Sequence, residues 1–429
     1  MGPRPILPLL VFCSLLGAQQ APSPEPKQRV REARELGKQS SEAIPKLQAY
    51  LKDPVAEVRV EAVKAVVGLG TQRSLDPLIE ATHDPDEEVQ IRATDGLVNF
   101  YLPGYVETGL TASLKRVGNR IQSRWTDTND KIVEPFIQVR AEVVHALGQL
   151  ATGGISMESR ANAARAIGIL RGRAAIPDLL KALRSKNAQV LYESLVALQK
   201  IRDPGVADDI AFLLRDLDEK VQIAAIETTG ILQNRGALPR LREVLERTRS
   251  AKVRRAALSA MAMIPDESSR DLYSRYLSDR DQDLRAAAAE GFGRLRNPGD
   301  RPLVEKEFND ERSMNPRLSK AFALVLLGRT EVAEHSPLQY LVNSLTSRSY
   351  RDVARTFLIE LSRETGVRRS LEAAAPKGTR DEKICLAQVL ARSGDKDTLA
   401  VLDALSRDTD LEVAAEGVRA LRSLRARLP

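Results

Sequence analysis

His83, His145 and His335 are the only histidines in the 429 residues, and imidazole is both the usual proton carrier near neutral pH and the commonest metal ligand. Their spacing is therefore the first test for chemistry. They stand far apart in sequence and in different segments of the chain, no H-E-x-x-H occurs, and no Cys/His cluster has the spacing of a zinc site. There is no P-loop, G-x-S-x-G elbow or dinucleotide fingerprint. The nearest glycine candidate, Gly291-Phe-Gly293, lies inside a helical pattern, lacks a third glycine and reads as close helix packing. Cys385 sits in the apolar run ICLAQVL and reads as a core residue. The 58 Asp and Glu residues will bring some carboxylates together by chance, which supports no acid/base mechanism. The sequence thus points to no catalytic residue, no cofactor and no metal.

One stretch does stand out. LKRVGNRIQSRW, residues 114–125, holds the only tryptophan, four basic side chains and no acid. Leu110, Leu114, Val117, Ile121 and Trp125 share one helical face, while Lys115, Arg116, Arg120 and Arg124 lie largely off it. A basic amphipathic helix of this kind could dock a partner, and Lys115, Arg116, Arg120, Arg124 and Trp125 are the candidate partner-binding residues. The plainer reading is the first helix of an enlarged repeat, its stripe packed and its arginines solvated. A membrane-surface contact through Trp125 is a weaker third reading, because packing competes for the apolar stripe.

The elements that would carry this stretch follow from composition and rhythm. Hydrophobic residues make up 43%, charged residues 29% and aromatics 4%, an Ala/Leu/Arg/Glu-rich balance that favours helices over sheets. The first 21 residues have Arg4, an apolar run from Ile6 to Leu16 and small residues at Gly17, Ala18 and Ala21, the layout of a secretory signal peptide cleaved after Ala18 or Ala21. The run is about half the ~20 apolar residues of a membrane span, so no transmembrane anchor is expected. Phe12 beside Cys13 departs from the lipoprotein pattern. Residues 22–40 are expected to form a flexible linker and N-terminal capping region, with the proline-rich 19–28 as tether, and 41–429 a repeat array.

Second helices open at Val58, Val89, Val190, Val221, Val253, Leu284, Leu318, Val353 and Val413. The intervals of 31, 101, 31, 32, 31, 34, 35 and 60 are near one, two or three multiples of a period of about 31. Positions 4, 8 and 11 after each anchor are small or apolar, as in Ala62, Val66 and Leu69, so each helix has one buried face that neighbours must cover. The rhythm breaks after Val89. The next apparent second helix opens at Val139, and another, RANAARAIGIL, follows within about twenty residues, which makes 102–136 an irregular insertion. Insertions in such arrays protrude from one face, often the binding face.

The turn-plus-helix segments D53-P-V-A-E-V58-R59 and V139-R-A-E-V-V-H-A-L-G148 resemble HEAT repeats, in the short form also found in phycobilin-lyase-type proteins. The resemblance spans roughly residues 40–426 and implies an all-α solenoid, a superhelix of about 11–12 helical hairpins. It also implies an Asp–Arg ladder between units, with acids at Asp53, Asp84, Asp216, Asp279 and Asp408 and bases at Arg59, Arg140, Arg254 and Arg285. By spacing alone those acids are also plausible helix N-caps. HEAT-repeat hydroxylases bind iron through paired His-Glu dyads, a pattern absent here, and the family's tetrapyrrole chemistry does not travel with the fold.

A net charge of +7 raises nucleic acid as a partner, but the positions six after the anchors read Lys64, Asp95, Val196, Glu227, Ser259, Glu290, Leu324, Ile359 and Arg419. Their signs alternate, so no basic groove is expected. The expected function is that of an exported scaffold, periplasmic or extracellular in a bacterium, which recognises protein partners through a curved surface. An enzyme with a lyase-like site in the groove and a structural subunit of the cell envelope are the alternatives. The closing arginines Arg422, Arg425 and Arg427 suggest a polar cap on the last unit.

Overall fold

A computed structural model describes residues 25–106, 131–134 and 136–428, and regular structure among them is entirely helical. The chain opens with a capping helix α1 (Pro26–Leu36), so the tether expected over 19–28 gives way to helix at Pro26. Hairpins then follow in order: α2 (Ile44–Tyr50) with α3 (Ala56–Leu69), α4 (Leu75–Ala81) with α5 (Glu87–Tyr101), α6 (Ala141–Gly153) with α7 (Met157–Ile169), and α8 (Ile176–Ala182) with α9 (Ala188–Ile201). In the fifth, a short 3-10 helix, Ala211–Arg215, precedes α10 (Glu219–Ile231). The array continues with α11 (Leu238–Arg247) and α12 (Ala251–Met263), α13 (Arg270–Tyr276) and α14 (Gln282–Leu295), and α15 (Arg301–Asp310) and α16 (Met314–Leu326). It ends with α17 (Pro337–Asn343) and α18 (Arg351–Leu361), α19 (Thr365–Ala374) and α20 (Arg380–Ser393), and α21 (Thr398–Leu405) and α22 (Leu411–Arg427). These are eleven hairpins among the described residues, an α-solenoid. Each second helix packs along the next, from α1 through α22, whereas the first helices meet at fewer places. The array therefore curves with the second helices on its inner side. Their buried faces merge into one continuous core that no single hairpin could close.

Two details of the rhythm are corrected. The helix near Val139, read as a second helix, is α6, the first arm of its hairpin; α7 is the second arm and stacks directly on α5. The interval of 101 after Val89 thus holds two units plus the insertion, not three units. An apolar helix pattern alone does not say which arm it belongs to. Likewise Val353 is exposed, and Ala354 beside it is the fully buried anchor. The second helix α18 begins after Tyr350, and its buried face is offset by one residue from the spacing of the other second helices.

The caps themselves are three residues before the anchors. Asp86, Asn187, Asp218, Asp281 and Asp410 accept helix amide hydrogen bonds, satisfying N–H groups the first turn leaves open. The acids five before the anchors sit one step earlier: Asp84, Asp216, Asp279 and Asp408 each accept from the amide of the capping residue, at 2.8–2.9 Å. Some of them also take a base from the previous unit. Arg59 grips Asp84 with two bonds of 2.8 Å and donates to its own Asp53 carbonyl at 2.9 Å, Arg29 binds Asp53, and Lys383 binds Asp408. Elsewhere the ladder changes partners or stops. Arg285 reaches Glu311, Arg140 turns to Asp76 and Glu142, and Arg254 donates to the Thr248 carbonyl. Burial works against the Glu311 charge, but Arg285, the Ser313 amide and Lys320 outweigh it and hold that carboxyl down to about 2.

The glycine pair read as packing does pack. A methyl on Gly293 would meet the Ala323 Cα at 2.7 Å, and one on Gly291 the Tyr273 ring at 2.6 Å. At the far end, the cap expected to be polar also exposes Leu411 and Val418. The coil turns back on itself there: the Arg422 guanidinium of α22 lies 4.3 Å from the ring of Phe136, just before α6.

Candidate partner-binding surface

Lys115, Arg116, Arg120, Arg124 and Trp125 lie outside the described residues, but the edges of their segment are described and both are anchored on the inner face. On the entering side, α5 ends at Tyr101, the Val106 amide donates to Asn99 Oδ1 at 3.0 Å, and Tyr105 turns inward. On the returning side, Lys131 sits over the Tyr105 ring at 5.5 Å, and buried Val133 donates its N–H to the Ile169 carbonyl at the end of α7, at 2.9 Å. The Arg140 amide then closes the stem by donating to the Tyr101 hydroxyl at 3.1 Å.

Tyr105 belongs to a polar network that runs across three second helices. Asn162 of α7 donates to Asp95 of α5 at 3.0 Å, and Arg165 of α7 is paired with Glu193 of α9 at 2.5 Å. Burial pushes the Asp95 carboxyl up, with the Asn162 hydrogen bond and the Arg165 charge opposing it. Burial, helped by the Asp95 charge, also pushes the Tyr105 phenol up to about 12, so it serves as a hydrogen-bonding and packing group rather than as a base.

Further along the same face, a groove of about 450 Å³ is lined by Glu227, Lys252, Arg255, Ser259, Asp283 and Glu290, among others. Its floor is knitted by Arg294. That guanidinium grips Glu360 two units away through bonds of 2.8 and 2.9 Å, binds Glu290 at 3.1 Å, and lies over the Phe322 ring at 4.9 Å. Ser319 donates to Glu290 at 3.0 Å. Burial raises the Glu290 carboxyl, with Arg294 and Ser319 opposing, and burial alone raises Glu227. The groove thus carries charges of both signs, most of them paired, in keeping with the alternation read from positions six after the anchors. Leu324 is buried and does not line it; α16 contributes Asn315 and Ser319 instead.

The histidines behave differently from their sequence separation. His83 and His145 both reach Gln149, at 3.1 and 3.0 Å, so two that look remote share one partner; His335 lies apart beside Glu334. Among the described residues no group of three or more His, Cys, Asp and Glu side chains is close enough to hold a metal ion. Burial pushes the Cys385 thiol up, away from a reactive thiolate. Arg165, Glu193, Arg294 and Glu360 were not singled out in the sequence. No single spacing picks them out: Glu193 and Arg294 stand 3 and 10 residues after their anchors Val190 and Leu284.

An all-helical ladder of two-helix units curved around its second helices defines the class of α-solenoid repeat proteins. The chain belongs to the HEAT-repeat family, whose profile matches residues 15–98, 156–228, 210–292 and 238–324, more than half its length. Several solved structures are similar at low identity. The CpcE–CpcF complex of phycocyanin lyase from Nostoc is 19% identical over 58% of this chain and 94% of that one, with a TM-score of 0.39. YibA of Escherichia coli is 14% identical over 72% of this chain and 99% of its own (TM-score 0.42), and human deoxyhypusine hydroxylase is 15% identical over 82% and 96% (TM-score 0.27). No curated protein matches in sequence. No described helix is long and apolar enough to cross a membrane.

Proposed function

We propose that this HEAT-repeat scaffold is an exported binding protein that takes a protein partner on the inner face of its coil, with the 102–136 insertion as the docking element. The observation that carries the reading is the anchoring of both insertion edges, Tyr105 and Lys131, in the inner-face network of Asp95, Asn162, Arg165 and Glu193. The edges of the segment are rooted on the surface an extended partner would follow, and in sequence its Lys115, Arg116, Arg120, Arg124 and Trp125 supply the charged and aromatic side chains typical of binding hot spots. The signal-peptide pattern of residues 1–21 supports export, to the periplasm or beyond. A mildly basic surface would steer acidic partners, an effect that salt weakens.

Two measurements test this. Fusing residues 1–30 to a reporter active only outside the cytoplasm should give activity, and no activity would remove the export reading. Replacing Arg116, Arg120 and Arg124 by glutamate should weaken partner capture by about tenfold or more while leaving the melting temperature unchanged; equal capture would remove the docking role.

A further inference from the structure

Asp95, Glu227 and Glu290 stand at the same place in their second helices, six residues after the anchors Val89, Val221 and Leu284. The ladder answers two of them. Asp95 takes the Asn162 side-chain amide at 3.0 Å, and Glu290 takes Arg294 at 3.1 Å and the Ser319 hydroxyl at 3.0 Å. Glu227 is left over. Four residues on, where α14 has Arg294, α10 has Ile231, and no hydrogen bond or ion pair reaches the Glu227 carboxylate among the described residues. Lys252 and Arg255 line the same groove but are turned to Glu219 at 3.6 Å and Asp281 at 2.8 Å.

A second feature of the groove has no use in the ladder. One of its walls comes from α18, whose buried face is offset by one residue, so Val353 is turned out of the core and into the groove with Phe357. Val353 is the only large exposed hydrophobic side chain among those that line it. Glu227 meets water, yet the enclosing walls, with no base opposing them, raise its carboxyl. Together with the groups they bind, the groove's charges are six carboxylates against three bases, in a chain whose net charge is +7. A cavity of about 450 Å³ thus joins an unanswered negative charge to exposed apolar surface.

We propose that this groove takes a basic-apolar segment of the protein partner, with the head of a lysine or arginine on Glu227 and a neighbouring aliphatic side chain on Val353 and Phe357. The inference rests on the inner face being the partner surface and names the chemistry that surface selects. A lysine or arginine stem can lie on Ile223 and Ala256 while its charged end supplies the missing counter-charge. A carboxylate in the partner would add to the surplus of acids, and a purely apolar side chain would leave Glu227 unpaired and further desolvated. The net charge of the chain still steers the approach of an acidic protein; the groove reads one local basic stretch of it.

A short end-blocked peptide alternating leucine and lysine, dye-labelled and titrated with the purified chain at about 0.15 M salt, tests the groove by fluorescence anisotropy. Saturable binding is expected, weakened at least about tenfold by Glu227→Gln and about threefold by Val353→Ser, and unchanged by Glu246→Gln on the first helix α11. A peptide alternating leucine and glutamate should not bind, and one alternating glycine and lysine should bind less tightly. Without peptide, Glu227→Gln should melt no lower than the parent, because the carboxylate has no partner to lose. Equal binding by either groove variant, equal binding of the glutamate or the glycine peptide, equal weakening by Glu246→Gln, or a lowered melting point of Glu227→Gln would each overturn the proposal. Partner capture through the insertion is judged separately by the substitutions at Arg116, Arg120 and Arg124, so a groove that ignores the basic peptide overturns this inference and leaves that reading standing.

Discussion

A guanidinium set between carboxylates recurs along the inner face, and two instances, at Arg294 and Arg165, are completed differently. Around Arg294, everything comes from the ladder itself: Glu290 from the same helix, Glu360 from two units on, with Phe322 and Ser319 closing the sides. Around Arg165, the ladder supplies Glu193, Asn162 and Asp95, but Tyr105 and Lys131 come from the edges of the insertion. The first cluster fastens the coil to itself. The second fastens the one irregular segment to the coil, which is why the insertion and the inner face are read as a single surface.

The comparison can be broken by experiment. Arg294→Ala leaves buried Glu290 without its counter-charge and unlinks units two apart, so a loss of about 3–5 kcal/mol is expected in chemical denaturation. A loss under about 1 kcal/mol would mean the cluster fastens nothing. Arg165→Ala leaves buried Glu193 without its counter-charge, but it unlinks only neighbouring units and Asn162 still satisfies Asp95, so a somewhat smaller cost, about 2–4 kcal/mol, is expected. A cost as large as that of Arg294→Ala would erase the distinction between the two clusters.

The smallest effects are in pH. Burial raises the Asp95 and Glu290 carboxyls above their unfolded values. A raised carboxyl contributes its full stability below the unfolded value, about 4, and loses it as pH climbs through the folded value. Asp95→Asn and Glu290→Gln should therefore gain on the parent as pH rises from about 4 to 8. Melting curves across that range check the sign, and a relative gain on acidification would contradict it. Glu290→Gln should show the smaller net gain, since it also gives up the charge that faces Arg294.

Much of the architecture is legible in the chain because the second helices bury the same face every 31 residues or so, and small residues such as Gly293 mark where backbones must touch. What escapes is set by distance in the fold rather than in the sequence. His83 and His145 meet at Gln149 because α6 packs directly against α4, although about 60 residues separate them in sequence. Arg294 finds Glu360 because curvature shortens the inner path across a whole unit. The arm assignment of the Val139 helix and the one-residue shift from Val353 to Ala354 fail for a local reason: periodicity marks a buried face but not which neighbour buries it. The candidate residues of 114–125 could be named from their spacing, while the network that roots their segment could not, since Asp95, Arg165 and Glu193 come from three units.

The central claim, that the inner face and the insertion form one partner-binding surface, is most directly tested by photocrosslinking in cells that make the protein. A photoreactive residue would replace Trp125 in the insertion, Ser259 in the groove, or exposed Glu246 on a first helix. An adduct to the same partner from positions 125 and 259, with none from 246, is predicted. An adduct from 246, or none from 125 and 259, would contradict it.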